Sequence, residues 1–330
     1  MAKTVLITGG AGYVGSALVP SLLKDGYKVI VYDLYLFGDV FKKIKNKNLI
    51  EIKGDIRNKE KLINAGRGAD YLIHLACISN DPSFELNPEL SRSINYDAFF
   101  NVLETVKINE IKRLVFASSA SVYGIQESDV TEDLKGVPLT DYGKYKLLCE
   151  DALRDSGLRN YVIVRPGSIF GYAPRLRLDL IINNFTIRAL INKKISFFGG
   201  WQLRPHININ DMVRLYKLLI ESSDKAVHQK VFNASLKNVT VEDTAKLVAQ
   251  VLKDKYIAHD IQIEKLDVFD KRSYHLNSEK IKRELGFIPE FKIEEGVSSI
   301  AAAFNNNLIE DGLNNPLYHN IKTMQSVDLK

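Results

Sequence analysis

The chain has only two cysteines, Cys77 and Cys149, in 330 residues. That scarcity excludes a disulfide framework and a cysteine-built metal cluster. Both thiols suit a reducing compartment, where each acts as a small apolar filler. Long hydrophobic runs are missing as well, since none approaches the roughly 18 apolar residues of a membrane span. The start, MAKTVLITGG, lacks the apolar stretch and cleavage site of a signal peptide and leads straight into a strand. A soluble, cytoplasmic protein is expected. Charge of one sign is scarce too: 45 basic against 40 acidic residues leave a formal +5. The densest basic run, residues 41–48 (FKKIKNKN), has no aromatics between its lysines and reads as a solvated loop, not a nucleic-acid patch. No repeat and no low-complexity linker interrupts the chain.

What is present is an ordinary globular composition, 45% hydrophobic and 26% charged, with room for one large domain or two unequal ones. The first half alternates. Apolar runs at 4–8, 28–32, 49–52, 71–76, 114–118 and 161–165 read as buried strands. Helical patterns lie between most of them, at 14–24, 59–66, 96–109 and 143–156. Strands alternating with helices predict a Rossmann-type, doubly wound parallel sheet, with ligands at the carboxyl ends of its strands. Beyond Pro174 the rhythm loosens into a smaller, mixed α/β C-terminal lobe, with helices expected near 179–192, 211–222 and 241–252. Short strands are expected at 206–209 and 231–234. The expected division is 1–174 for the dinucleotide-binding domain and 175–330 for the substrate lobe, with segments near 205–235 rejoining the first.

Gly9-Gly10-Ala11-Gly12-Tyr13-Val14-Gly15 follows the first strand and opens a helix. Glycines there let backbone amides approach a pyrophosphate at the positive end of that helix. Asp33 follows the second strand, about 18 residues past Gly15. A carboxylate at that point accepts hydrogen bonds from ribose hydroxyls and repels a 2′-phosphate, which favours NAD over NADP. Asp55 and Ile56, in KGDIRN, would flank the adenine. Leu75, Ala76 and Cys77 end the fourth strand, where small residues admit a cofactor. His74, inside that strand, reads as a buried, hydrogen-bonded histidine.

Tyr142 and Lys146, in DYGKYKLLCEDAL, lie one turn apart on one helical face. A phenol of pKa about 10 is a poor base at neutral pH, and a nearby ammonium favours its phenolate. A lowering by roughly three units corresponds to about 4 kcal/mol. Such a pair takes a proton from an alcohol while a cofactor takes the hydride. Tyr318 and Lys322 repeat the spacing, without supporting context.

Taken together, TGGAGYVGS, Asp33, GDI, HLAC, FASSASVYG, YGKYK, RPGSIFG, RPHININD and DKRSY resemble the extended short-chain dehydrogenase/reductase family that acts on nucleotide sugars. They occur in the family's order across nearly the whole chain. The resemblance implies a catalytic set of Ser119, Tyr142 and Lys146. Tyr142 would be the acid/base, Ser119 would bond the reacting oxygen, and Lys146 would bind nicotinamide ribose and tune Tyr142. A serine cluster at a strand end independently suits a hydroxyl donor; turn and cap chemistry is the plainer account of Ser118, Ser119 and Ser121. The resemblance also assigns Ser118 to the cofactor and Ser121 to the substrate. It further implies that Asn95 supports the lysine, or simply caps its helix. Pro166, Gly167 and Ser168 would form the turn beside the nicotinamide amide.

Where dehydratases of this family carry a threonine followed by acidic residues, this chain has Ala120 and Ser121, and no cysteine stands where 3,5-epimerase/reductases need one. Simple redox at a ring carbon remains, most readily C4: a 4-epimerase, a 4-dehydrogenase or a ketoreductase. Arg204 and Arg272 fall where family members bind the diphosphate, a role that guanidinium forks suit. Asn183 is a further substrate candidate. Trp201 and His206 read as structural, and Asp211 as a helix cap. The resemblance also implies a homodimer through the helices carrying Asn95 and Tyr142. A binding protein that keeps the fold without turnover is the alternative from another class.

Overall fold

A computed structural model describes residues 2–126, 129–256, 260–266, 273, 275–327 and 329. Its centre is a sheet of seven parallel strands: β1 (Thr4–Thr8), β2 (Lys28–Asp33), β3 (Leu49–Lys53), β4 (Tyr71–His74), β5 (Arg113–Ala117), β6 (Tyr161–Pro166) and β10 (Lys230–Ala234). They lie in the order β10-β6-β5-β4-β1-β2-β3, so the winding reverses between β1 and β4. The period-2 alternation of a strand explains how one sheet builds two cores. Val5 and Ile7 of β1 face one side, where they meet Leu18 and Leu22 of the helix Tyr13–Lys24 and Met212 and Leu215 of the helix Ile209–Glu221. Leu6, between them, faces the other side, with Phe99, Val102 and Leu103 of the helix Phe99–Ile108 and Leu153 of the helix Asp141–Asp155. All five residues of β1 are buried, which is why its sequence, TVLIT, shows no polar face.

The remaining strands form two small sheets. In one, β9 (Leu203–Asn208) lies between β7 (Ser168–Phe170), which runs parallel to it, and β11 (Lys237–Thr240), which runs antiparallel. In the other, β8 (Lys194–Phe198) pairs in parallel with β12 (Gln262–Leu266). A separate apolar core joins the helices Ile181–Asn192, Val241–Lys255 and Ile293–Asn305 beside them. The architecture is therefore α/β, with a doubly wound parallel sheet and a smaller C-terminal sheet region.

Several local expectations need correction. β4 ends at His74, so Leu75, Ala76 and Cys77 belong to the loop beyond it. Asn95 caps nothing: it sits within a π-helical turn, Ser93–Asp97, ahead of the helix Phe99–Ile108. Asn208, not Asp211, caps the helix Ile209–Glu221; the fully buried Asp211 carboxylate instead accepts from the backbone N–H of Glu290 and Phe291. Trp201 is 54% exposed and no part of the core. No helix among the described residues is long and apolar enough to cross a membrane.

Candidate active site

A cleft of about 340 Å³ runs along the carboxyl ends of β1, β2, β4, β5 and β6, where the sheet changes direction. At one end stands the glycine turn. Gly9 has φ +73°, and a Cβ on it would lie 2.5 Å from the Ala76 amide nitrogen. A Cβ on Gly15 would sit 2.1 Å from the Gly10 carbonyl oxygen, so only glycine lets the first helical turn close on the loop. Gly9, Gly12, Tyr13, Val14 and Gly15 all line the cleft. Asp33 lines it too; its carboxylate accepts from the N–H of Ala11 (2.9 Å) and Tyr35 (2.7 Å). Burial raises the Asp33 pKa against the pull of these amides and of Arg175. Each carboxylate oxygen retains capacity for a further donor such as a sugar hydroxyl.

At the other end, Ser118, Ser119 and Ser121 follow β5 and face Tyr142 and Lys146. The contact is close because Gly143 packs on the serine turn: a Cβ there would stand 2.7 Å from the Ser121 carbonyl oxygen. Thr140 caps the helix and anchors its start to Asp81, donating to that carboxylate at 2.6 Å. Ser119 and Tyr142 line the same end of the cleft. Burial is the dominant influence on the Tyr142 phenol and pushes its pKa up, with Cys77 adding to the rise; Arg177 and Ser119 pull it down. The sequence argument required a lowered value. The desolvation of Tyr142 outweighs the charges around it. The Lys146 ammonium, 6.0 Å from the Tyr142 ring centre, donates to the Ala117 carbonyl oxygen at 2.7 Å. Two turns along from Tyr142, buried Glu150 takes a hydrogen bond from Ser118 (2.5 Å) and a forked pair from Arg165 (2.9 and 2.5 Å).

Pro166, Gly167 and Ser168 line the cleft beyond β6, and Leu75, Ala76 and Cys77 beyond β4. Ile56 does so as well, but Asp55 does not: its carboxylate is engaged by Arg57 at 2.7 and 3.0 Å. Asn95 stands behind the wall. Its amide bridges the N–H and C=O of Ile78 at 2.8 and 2.9 Å, shaping the loop that lines the cleft. Asn183 is fully buried and outside the cleft lining. It donates to the Tyr13 hydroxyl and the Arg177 carbonyl and accepts from the Gly171 N–H. Arg204, on β9, is not among the cleft-lining residues and donates to the Leu203 carbonyl. Arg272 lies outside the described residues. His74, fully buried, pairs with the Thr8 hydroxyl at 2.7 Å, and burial takes its pKa down to about 3. His206 is likewise buried and taken down to about 3, with neither ring nitrogen partnered. The Tyr318–Lys322 pair is split between a 3₁₀ turn and a later helix, and the Lys322 ammonium donates to the Leu313 carbonyl.

Sequence reasoning missed the segment Arg175–Asp179, which closes the cleft from the side. Arg177 forms an ion pair with Asp179 at 2.6 Å. Arg175 is 3% exposed, stacks 3.6 Å from the Phe37 ring centre, and has an Nε with no hydrogen-bond partner. Burial and neighbouring Arg177 push its pKa down to about 9, against the opposing pull of Asp179 and Asp33. The sequence signal was available as two arginines in PRLRLD. They carry no periodicity, and only the fold brings them back over the glycine turn.

These features fit a dinucleotide. The Gly15 position leaves no room for a Cβ beneath the helix N-terminus, Asp33 offers a carboxylate for ribose, and Arg175 presents an unpartnered guanidinium Nε. A model of the NAD-dependent epimerase/dehydratase family matches residues 5–235. The chain belongs to that family. It is an NAD-dependent enzyme of the extended short-chain dehydrogenase/reductase class. Among its relatives, an uncharacterised UDP-glucose epimerase of Bacillus subtilis is 34% identical over 226 residues, covering 64% of this chain and 70% of that protein. A putative UDP-glucose 4-epimerase of Methanocaldococcus jannaschii is 27% identical, over 92% of this chain and 99% of its own. The UDP-N-acetylglucosamine 4-epimerase of Methanobrevibacter ruminantium, solved with UDP-N-acetylmuramic acid, superposes with a TM-score of 0.81 at 27% identity. It covers 93% of this chain and 99% of that one.

Proposed function

We propose that this enzyme is a UDP-sugar 4-epimerase, inverting the C4 hydroxyl of a nucleotide-linked pyranose. The observation that carries the reading is that Ser119, Tyr142 and Lys146 line one end of a cleft whose other end carries the glycine turn and Asp33. The 4-epimerase names of the full-length relatives support the position and the base. When bound, NAD accepts a hydride from the carbinol carbon and returns it. Ser119 bonds the reacting oxygen, and the Tyr142 Oη removes its proton and gives it back. Lys146, held by the Ala117 carbonyl, would bind nicotinamide ribose and add positive charge behind the phenol. Ala120 and Ser121, beside Ser119, bring no carboxyl group to move the protons of a dehydration, which supports redox chemistry.

Epimerisation, dehydrogenation and reduction share this half-reaction, and the balance of product separates them. Epimerisation consumes no NAD; a dehydrogenase accumulates NADH and a 4-keto sugar. The test is incubation with UDP-hexoses, followed by separation of C4 epimers and absorbance at the NADH band. Tyr142→Phe is expected to lose about 10²–10⁴ in kcat. Activity near wild type in that variant overturns the mechanism.

The enzyme is further proposed to act as a homodimer. The groove between the helices Phe99–Ile108 and Asp141–Asp155 is lined by Tyr96, Phe100, Leu103 and Leu148, and Phe100 is 48% exposed.

A further inference from the structure

The strap 316–326 runs back from the substrate lobe to the cofactor cleft. It begins with a 3₁₀ turn, Pro316–Tyr318, and ends in a short helix, Asn320–Ser326. It is tied down on both sides. The Leu178 N–H donates to the Tyr318 carbonyl at 2.9 Å, and Met324 packs on the apolar core beneath the sheet. Between these anchors Asn320, 4% exposed, enters the lining of the cleft. Its side-chain oxygen accepts from an Arg175 terminal nitrogen, and its amide donates to the Ser79 hydroxyl (2.8 Å) and carbonyl (3.2 Å).

Asn320 therefore joins two walls of the cleft a second time, beside the direct bond between them from Asn80 to Asp179. Arg175 belongs to the segment after β7; its backbone N–H reaches Ser16 in the first turn of the glycine-loop helix at 3.2 Å. Ser79 belongs to the loop after β4, next to Asn80, whose φ of +75° is an uncommon conformation for a side chain to adopt. Asn80 in turn donates to Asp179, the partner of Arg177. The result is a continuous belt: strap, Arg175, loop 77–81, Asp179. Arg175 is held in that belt with its Nε still unpartnered, beside the turn where a helix N-terminus favours phosphate.

We propose that Asn320 is a cofactor-positioning residue: it holds Arg175 against the phosphates of the dinucleotide and pins the 77–81 loop, so that the strap must lift before the cofactor leaves. This rests on the NAD reading of the cleft, and it sharpens the choice of reaction. A cofactor retained behind the strap must end each cycle in the oxidation state in which it began. Hydride and proton both leave the substrate and both return, with no outside acceptor. That balance belongs to an epimerase and not to a dehydrogenase.

The test measures release, not turnover. Full-length protein loaded with isotopically labelled NAD is diluted into excess unlabelled NAD, and retained label is followed over time. Asn320→Ala, folded as judged by circular dichroism, is expected to release NAD at least about tenfold faster, the loss of one to two hydrogen bonds' worth of retention. Asn320→Asp keeps the acceptor for Arg175 but loses donation to Ser79, and should fall between. Lys322→Ala, on the outer side of the same helix, should release as wild type. In parallel, NAD should slow tryptic cleavage of the strap at Lys322 in wild type but not in Asn320→Ala. Release within twofold of wild type in folded Asn320→Ala overturns the proposal. A wild-type protein that binds no NAD overturns the cofactor reading and the clasp with it. Slow release from a protein inactive on every UDP-sugar sinks the epimerase reading and still supports the clasp.

Discussion

Tyr142 illustrates how a residue's chemistry depends on groups far from it in sequence. Its helix supplies Lys146, but the strongest positive charge acting on the phenol is Arg177, from the segment closing the cleft. Burial raises the phenol and cations lower it, so each lost cation moves the basic form to higher pH. In Arg177→Gln the ascending limb of kcat/KM against pH is therefore expected to shift up by about one unit, with activity at pH 7 reduced accordingly. A pH profile of the variant checks this, and an unmoved limb would remove Arg177 from the account. Asp55 teaches the converse. Its position in GDI suggested the adenine, but a neighbouring arginine two residues on claims its carboxylate, and only Ile56 reaches the cleft.

At the scale of elements, the helix Asp141–Asp155 does more than carry a catalytic pair. Tyr142, Lys146 and Glu150 follow at four-residue steps, hence on one face. Glu150 locks that face to β5 through Ser118 and to β6 through Arg165, which also donates to the Tyr123 hydroxyl at 2.7 Å. Both members of the ion pair are at most 3% exposed. Removing one charge strands the other in the interior, at a cost of about 3–5 kcal/mol. Denaturant unfolding of Glu150→Gln should show that loss. The double variant Glu150→Leu with Arg165→Met should recover much of it, because an apolar pair leaves no buried charge behind. If the single and double variants lose equally, the clamp is not what sets the helix in place.

For the whole molecule, the cleft draws its lining from segments as far apart as the glycine turn, Arg175 and Asn320. The exposed groove beside Phe100 belongs to the two helices that would pair with a second copy. Light scattering is expected to give twice the chain mass. Phe100→Glu, which places a charge on the apolar groove, should give the monomer mass with the fold intact. A monomer mass for wild type would refute the dimer.

The sequence by itself determined the elements whose signals are local. TVLIT, buried on both faces, could only be an interior strand. The glycines between it and the next helix permit a turn that any Cβ would block, and four-residue spacing put Tyr142 and Lys146 on one face. The order of those elements then dictated a doubly wound sheet with its ligand end at Gly9, Asp33 and Ser119. Tertiary structure alone decided the rest. Asn183, Asn95 and Asp211 are polar residues in suggestive contexts, yet their side chains are spent on distant backbone groups, because a buried amide or carboxylate must be satisfied wherever the fold leaves a donor or acceptor. Arg175, Arg177 and Asn320 showed the opposite. The paired arginines of PRLRLD and Asn320 carry no periodicity that marks them, and they line the cleft only because segments separated by more than 140 residues converge on it.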